Sequence, residues 1–156
     1  MVFEDDLLNH MANYHGGDFS GITRKLKEGY FSNLGINMIW ISPVLKGPSK
    51  VHDESVPPYR KYSGYHGYWP VSNNELEPRF GRSEDFKKLV ANAHERNIKV
   101  IVDFVSNHVH EEHPYHIQYP EWFSSYNLPN GEKNLRRWDG DTRLTTWFES
   151  FLPTFD

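Results

Sequence analysis

The sequence predicts an α/β protein built on a parallel sheet, and three observations carry that prediction. Helix-like and strand-like segments alternate through the first two thirds of the chain. The strand-like segments are continuously apolar, as strands covered on both faces are. The connections are also unequal: those entering strands are very short and those leaving them are long.

Ser20-Gly21 opens the first segment, in which Ile22, Leu26, Tyr30 and Leu34 recur at helical spacing. Gly35 stands where a left-handed C-terminal cap is needed, so a helix is expected from Gly21 to Leu34. INMIWIS, Ile36 to Ser42, follows as a β-branched apolar run stopped by Pro43 and reads as a buried strand. Ser83 is expected to cap a second helix. Glu84 and Asp85 occupy its first turn, Phe86, Leu89, Val90 and Ala93 share one face, and His94 and Arg96 lie near the end, where cations suit the helix dipole. IKVIVDFV, Ile98 to Val105, is the second expected buried strand.

Long excursions leave the C-terminal end of each strand, from Pro43 to Arg82 and from Ser106 onward. Structureless loops above about 15 residues are uncommon unless they are functional or form a small subdomain. In parallel α/β architectures ligands bind at that end of the sheet. Chemistry is therefore expected on the side that carries the two excursions. The stretch after Glu111 is rich in Trp, Tyr, Pro, Asn and Asp with weak periodicity and reads as irregular.

The totals narrow the function classes. A chain of 156 residues supports one core, whereas a complete (β/α)8 barrel needs about 250 residues. A net charge of −4 with no basic stripe argues against nucleic acid as a partner. No run approaches the ~20 apolar residues that span a bilayer, so no membrane association is expected. The start, MVFEDDLLNH, lacks the basic and apolar regions of a secretion signal, and the chain has no cysteine; a cytoplasmic location is the expectation.

Two stretches carry candidate chemistry. In DFVSNHVHEEHPYH, Asp103 to His116, four histidines and three carboxylates fall within fourteen residues. His108, His110 and His113 form an H-x-H-x-x-H string that invites a zinc reading, although no cysteine and no second histidine pair at a familiar spacing support it. A solvated loop is the other reading. The second stretch, PPYRKYSGYHGYWP, interleaves Tyr59, Tyr62, Tyr65, Tyr68 and Trp69 with His66 and two glycines. Tyrosines can simply cover a loop's own core, but aromatic faces beside hydrogen-bonding groups suit ligands with both C–H faces and hydroxyls, as sugars have.

Several stretches, taken in order, resemble the α-amylase family of glycoside hydrolases, family 13: GGDFSGITRKL, LGINMIWISPV, GYHGYWP, FGRSEDFKKLVANAHERNIKVIVDFVSNH and LPTFD. The resemblance implies part of a (β/α)8 TIM barrel, roughly strands two and three with their helices over residues 1–105. A B-domain-like excursion over 106–156 would lead back to the barrel. It implies a retaining enzyme that cleaves or transfers α-1,4-linked glucose units, with an α-glucan or maltooligosaccharide as substrate. Residue by residue, it makes Tyr68 the platform beneath the sugar at the scissile bond, with Trp69 beside it, and His66 and His108 donors to that sugar's hydroxyls. Asp103 would support the active site by orienting an arginine, and Asn107 would be a calcium ligand.

Two departures go with this. Where family members that bind calcium often carry LPDLD, this sequence has LPTFD, so Thr154 replaces a ligating aspartate. The carboxyl pair that retaining hydrolysis requires lies on later strands in the family and would fall beyond Asp156. The chain is therefore expected to carry sugar-binding residues without the catalytic acids and to need the rest of the barrel. The alternative is a non-catalytic carbohydrate-binding or interaction module, a degenerate homologue. His110, His113 and His116 match no required position of the family and are expected to be solvated.

Overall fold

A computed structural model describes residues 12–156; the first eleven residues of the expected 1–105 unit lie outside the described residues. The elements in chain order are α1 (Phe19–Lys27), α2 (Tyr30–Asn33), β1 (Met38–Ile41), β2 (His52–Asp53), β3 (Lys61–Tyr62), α3 (Ser83–His94), β4 (Lys99–Val102) and α4 (Pro114–Gln118), with short 3-10 turns at Pro78–Phe80 and Pro120–Trp122. The alternation read from the sequence stands: β1 and β4 pair in parallel, Met38 opposite Lys99 through Ile41 opposite Val102.

The expected first helix is broken. Asp18 rather than Ser20 caps α1, its Oδ1 accepting the Gly21 N–H at 2.6 Å. Gly29 then takes φ 74°, a left-handed conformation that ends the helical run before α2 restarts it. The second helix forms where it was expected, but not with its expected cap. Arg82 is the N-cap residue, its N–H held by the Asp85 carboxylate at 3.1 Å, and Ser83 is the first helical residue. At its far end Arg96 donates to the Asn92 carbonyl at 2.9 Å, and Asn97 turns the chain at φ 56°.

The core lies on one side of the sheet. Phe19, Leu26, Leu89, Ala93, Ile98 and Val44 are buried there, and Ile39, Ile41, Val100 and Val102 pack against them from the strands. The opposite strand face is bare: Trp40 is 72% exposed, and Met38, Lys99 and Ile101 share its exposure. The expectation of strands buried on both faces is thus corrected. Continuous apolarity reports that both faces are apolar, but α1 and α3 cover only one of them.

A second cluster, Trp69, Phe151 and Leu152 with Tyr62, joins the first excursion to the end of the second. The β2–β3 hairpin, which the sequence did not announce, lies within that first excursion, His52 opposite Tyr62. The second excursion closes on itself. His108 bridges Thr154, Phe123 bridges Phe155, Val109 N–H donates to the Pro153 carbonyl at 3.2 Å and Phe155 N–H to the Asn107 carbonyl at 3.0 Å. Among the described residues, no helix is long and apolar enough to cross a membrane.

Candidate functional site

The C-terminal ends of β1 and β4 carry the residues that the sequence singled out. After β1 the chain turns at Pro43 and comes back at Gly67, where a Cβ would stand 2.1 Å from the Pro43 carbonyl oxygen and where φ is +82°. Only glycine permits that approach, which brings His66, Tyr68 and Trp69 against the strand end. After β4, Asp103 N–H donates to the Ile41 carbonyl at 2.9 Å, so Asp103 continues the strand pairing and its side chain is fixed at the rim.

The two excursions meet at Tyr68. Its phenol donates to Asp103 Oδ2 at 2.6 Å, and that bond holds the Tyr68 pKa above the ordinary tyrosine value. Its ring remains 42% exposed, which leaves an aromatic face open to a ligand. The His66 ring stacks beside it, with centroids 5.7 Å apart and planes at 29°. His66 Nδ1 accepts the Tyr68 N–H at 3.0 Å, so the proton of the neutral ring sits on Nε2 as a donor. Burial, and then the nearby His108, push the His66 pKa down to about 4, which keeps the ring neutral at ordinary pH.

His108 is placed differently from a ready sugar donor. It is 7% exposed, its Nδ1 faces the Asn107 side-chain amide at 3.3 Å, and its Nε2 lies 3.0 Å from the Tyr68 carbonyl. With the Asn107 amide donating to Nδ1, Nε2–H donates to the Tyr68 main chain; both ring nitrogens are used in fixing the platform. Burial holds its pKa below the ordinary histidine value. Trp69, expected beside the platform, is 3% exposed and packs edge-on against His66, His52 and Phe151. It backs the platform from the core and offers no face to a ligand. Phe148, which the sequence did not single out, lies 5.4 Å from the His108 ring with Trp138 packed on it, both rings about half exposed.

The expected solvated histidines are corrected in two cases. His110 is 0% and His113 2% exposed, because Phe151 and His52 close over the first and the Tyr115 ring packs on the second. The H-x-H-x-x-H string does not converge: His108 reaches Tyr68, His110 reaches His52, and His113 accepts the Tyr115 N–H at 3.1 Å. As for calcium, the exposed Asn107 side chain offers one carbonyl oxygen, whereas the Thr154 hydroxyl is 1% exposed and donates to the Thr146 carbonyl at 3.0 Å. A calcium ion takes six to eight oxygens, so these residues do not make up a calcium site by themselves.

A parallel β/α unit with an aromatic, histidine-flanked rim at its strand ends is the arrangement of a piece of an α/β fold. The comparisons with known proteins then give the family. Residues 3–138 match the model for the alpha amylase catalytic domain. A cyclomaltodextrin glucanotransferase from Bacillus sp. (strain 1-1) is 33% identical over 156 residues, covering 96% of this chain and 21% of that protein. An alpha-amylase from Niallia circulans is 43% identical over 96 residues, 61% of this chain and 17% of that protein. Among solved structures, the alpha-amylase of Geobacillus thermoleovorans in complex with acarbose superposes with a TM-score of 0.71 at 34% identity, over 97% of this chain and 30% of that one. The chain belongs to the α-amylase family of TIM-barrel glycosidases and glucanotransferases. It spans about a fifth of the length of the curated relatives it matches.

Proposed function

We propose that this chain is the sugar-gripping part of a retaining α-glucan-active enzyme that hydrolyses or transfers α-1,4-linked glucose units. The observation that carries the proposal is the convergence of Tyr68 and His66 from the first excursion, His108 from the second and Asp103 from the strand end between them. The C–H face of a glucose ring lies on the exposed Tyr68 ring, and His66 Nε2–H donates to one of its hydroxyls. Asp103 accepts from the phenol through Oδ2, and its other oxygen is left to orient an arginine supplied from outside these residues. His108 holds the Tyr68 main chain, and its expected contact with the sugar costs the bond to the Tyr68 carbonyl.

The unit of residues 1–105 belongs in this reading to the barrel and 106–156 to the B-domain-like excursion. The two carboxyl groups of retaining hydrolysis, about 5–5.5 Å apart, come from polypeptide outside these residues. Calcium enters only through Asn107 Oδ1, with its remaining oxygens supplied from elsewhere.

The test is to incubate the complete polypeptide with starch and maltooligosaccharides and follow reducing ends and transfer products. Turnover is expected, with kcat/KM lowered at least about tenfold, or about 1.4 kcal/mol, by Tyr68→Ala. A folded polypeptide that neither turns over nor binds α-glucans would refute the proposal.

A further inference from the structure

We propose that His52, His110 and Glu111 form a binding site for a divalent transition-metal ion, of which zinc is the best match, that clips the β2–β3 hairpin to the second excursion. Their ligand atoms, one from each side chain, lie within 4.8 Å of one another, and they are the group among the described residues that gathers three such donors. The site is separate from the sugar cleft, and it stands or falls independently of glucan cleavage.

The scaffold already fixes two of the three ligands. His52 is held in the hairpin opposite Tyr62, and its ring stacks on Phe151 at 4.2 Å with Trp69 edge-on at 5.6 Å. His110 is fully buried, and its N–H donates to the Pro70 carbonyl at 2.9 Å; the next residue, Glu111, donates its N–H to the Phe151 carbonyl at 2.9 Å. The Glu111 side chain, from an exposed residue, supplies the third ligand from the solvent side. Burial of both rings keeps the imidazoles in the neutral form that ligates.

The geometry lies close to what zinc needs. The Nε2 atoms of His52 and His110 are 3.0 Å apart. Two zinc–nitrogen bonds of about 2.0–2.1 Å at a tetrahedral angle separate the nitrogens by about 3.3 Å, so the rings need to part by only about 0.3 Å. Two imidazoles and a carboxylate leave a fourth position for water, and this nitrogen-rich set favours zinc, cobalt or nickel over calcium. Ligation has a definite proton cost. His110 Nδ1 accepts the Glu112 N–H at 3.2 Å, so its proton now sits on Nε2 and points at His52. An ion between the two Nε2 atoms moves that proton to Nδ1 and gives up the long Glu112 bond. Trp69 and Phe151 shield the other side of the rings, as the dry shell of a metal centre does.

The experiment strips the complete polypeptide with a chelator and titrates it with Zn2+ by calorimetry and with Co2+ by visible absorption, in calcium-containing buffer. One equivalent is expected at micromolar affinity or tighter, with the Co2+ bands of a four- or five-coordinate site. His52→Gln and Glu111→Gln are each expected to weaken binding by at least about tenfold. Glu111→Gln is a surface change and remains decisive if His52→Gln fails to fold. Absence of binding by a folded protein, or binding of unchanged affinity in Glu111→Gln, overturns the site and leaves a bare histidine–histidine hydrogen bond.

Discussion

Glu149 ties the two excursions together, and Glu149→Gln tests how strongly. The carboxylate is 3% exposed; one oxygen accepts from the Arg136 guanidinium and from the Tyr62 phenol at 3.3 Å, and the other accepts the Ser55 N–H at 2.7 Å. Glutamine has the same shape but one acceptor oxygen. If that oxygen keeps Arg136, the new NH2 faces the Ser55 N–H, donor against donor, which costs about 1–3 kcal/mol for the stranded amide. Loss of charge assistance to Arg136 adds about 1 kcal/mol. Because the Arg136 side chain is 34% exposed, water recovers part of this, and the total settles at about 2–3 kcal/mol. The assay is amide hydrogen exchange at Ser55, where that loss speeds exchange about 30- to 150-fold. Trypsin should also cut faster at Arg60 and Lys61, within and beside the hairpin. Exchange at Ser55 within about threefold of the parent would refute the reasoning, because Glu149 would then not be the group that holds the hairpin.

Four further outcomes follow from the same structure. Gly67→Ala places a methyl against the Pro43 carbonyl in a strained backbone, so the thermal midpoint and the affinity for maltooligosaccharide should fall together; a variant with both unchanged would contradict the close approach. Leu89→Ala empties a fully buried site between α3 and the sheet and should cost about 2–5 kcal/mol in urea unfolding. Acid should destabilise the fold early. His66 and His110 are pushed down to about 4 and about 3, whereas the unfolded chain takes up protons near 6.5. Their contribution is therefore complete above pH 6.5 and is lost as pH falls toward 4 and then 3, and urea midpoints in chelator should slope less steeply in His110→Gln. Finally, with Trp40 72% and Phe104 68% exposed beside the bare strand face, these 156 residues alone should form oligomers in gel filtration; a monomer with a sharp, reversible melt would argue otherwise.

The strands and α3 were legible in the sequence because their signals are local: β-branched runs, a 3.6-residue apolar period and charges at the matching helix ends. The break at Gly29 was visible as a residue but hidden by a period that continues through Tyr30 and Leu34. That Tyr68, Trp69 and His66 stand together was legible from their spacing, yet which of them faces solvent was not. Trp69 and Tyr68 are neighbours with opposite fates, one facing the core and the other the solvent, because Phe151 and Leu152 arrive from more than 80 residues away to bury the first. The burial of His110 was equally illegible, since its partner His52 stands 58 residues earlier, in a hairpin of two-residue strands whose loop carries only a Pro57-Pro58 step as a turn signal.

The second excursion leaves the sheet near Asp103 and is drawn shut where Asn107–Val109 pairs with Pro153–Phe155. A segment whose two ends are stitched together at its base meets the rest of the fold through that seam and through a few ties, at His108, His110, Glu149 and the Phe151–Leu152 cluster. Residues between Glu111 and Ser150 can lengthen, shorten or exchange side chains without shifting the register of β1 and β4, provided that the seam and the ties at His110 and Glu149 survive. One frame can thus carry differently shaped flaps, and altering the wall beside Tyr68 is a matter of re-cutting this flap rather than rebuilding the sheet beneath it.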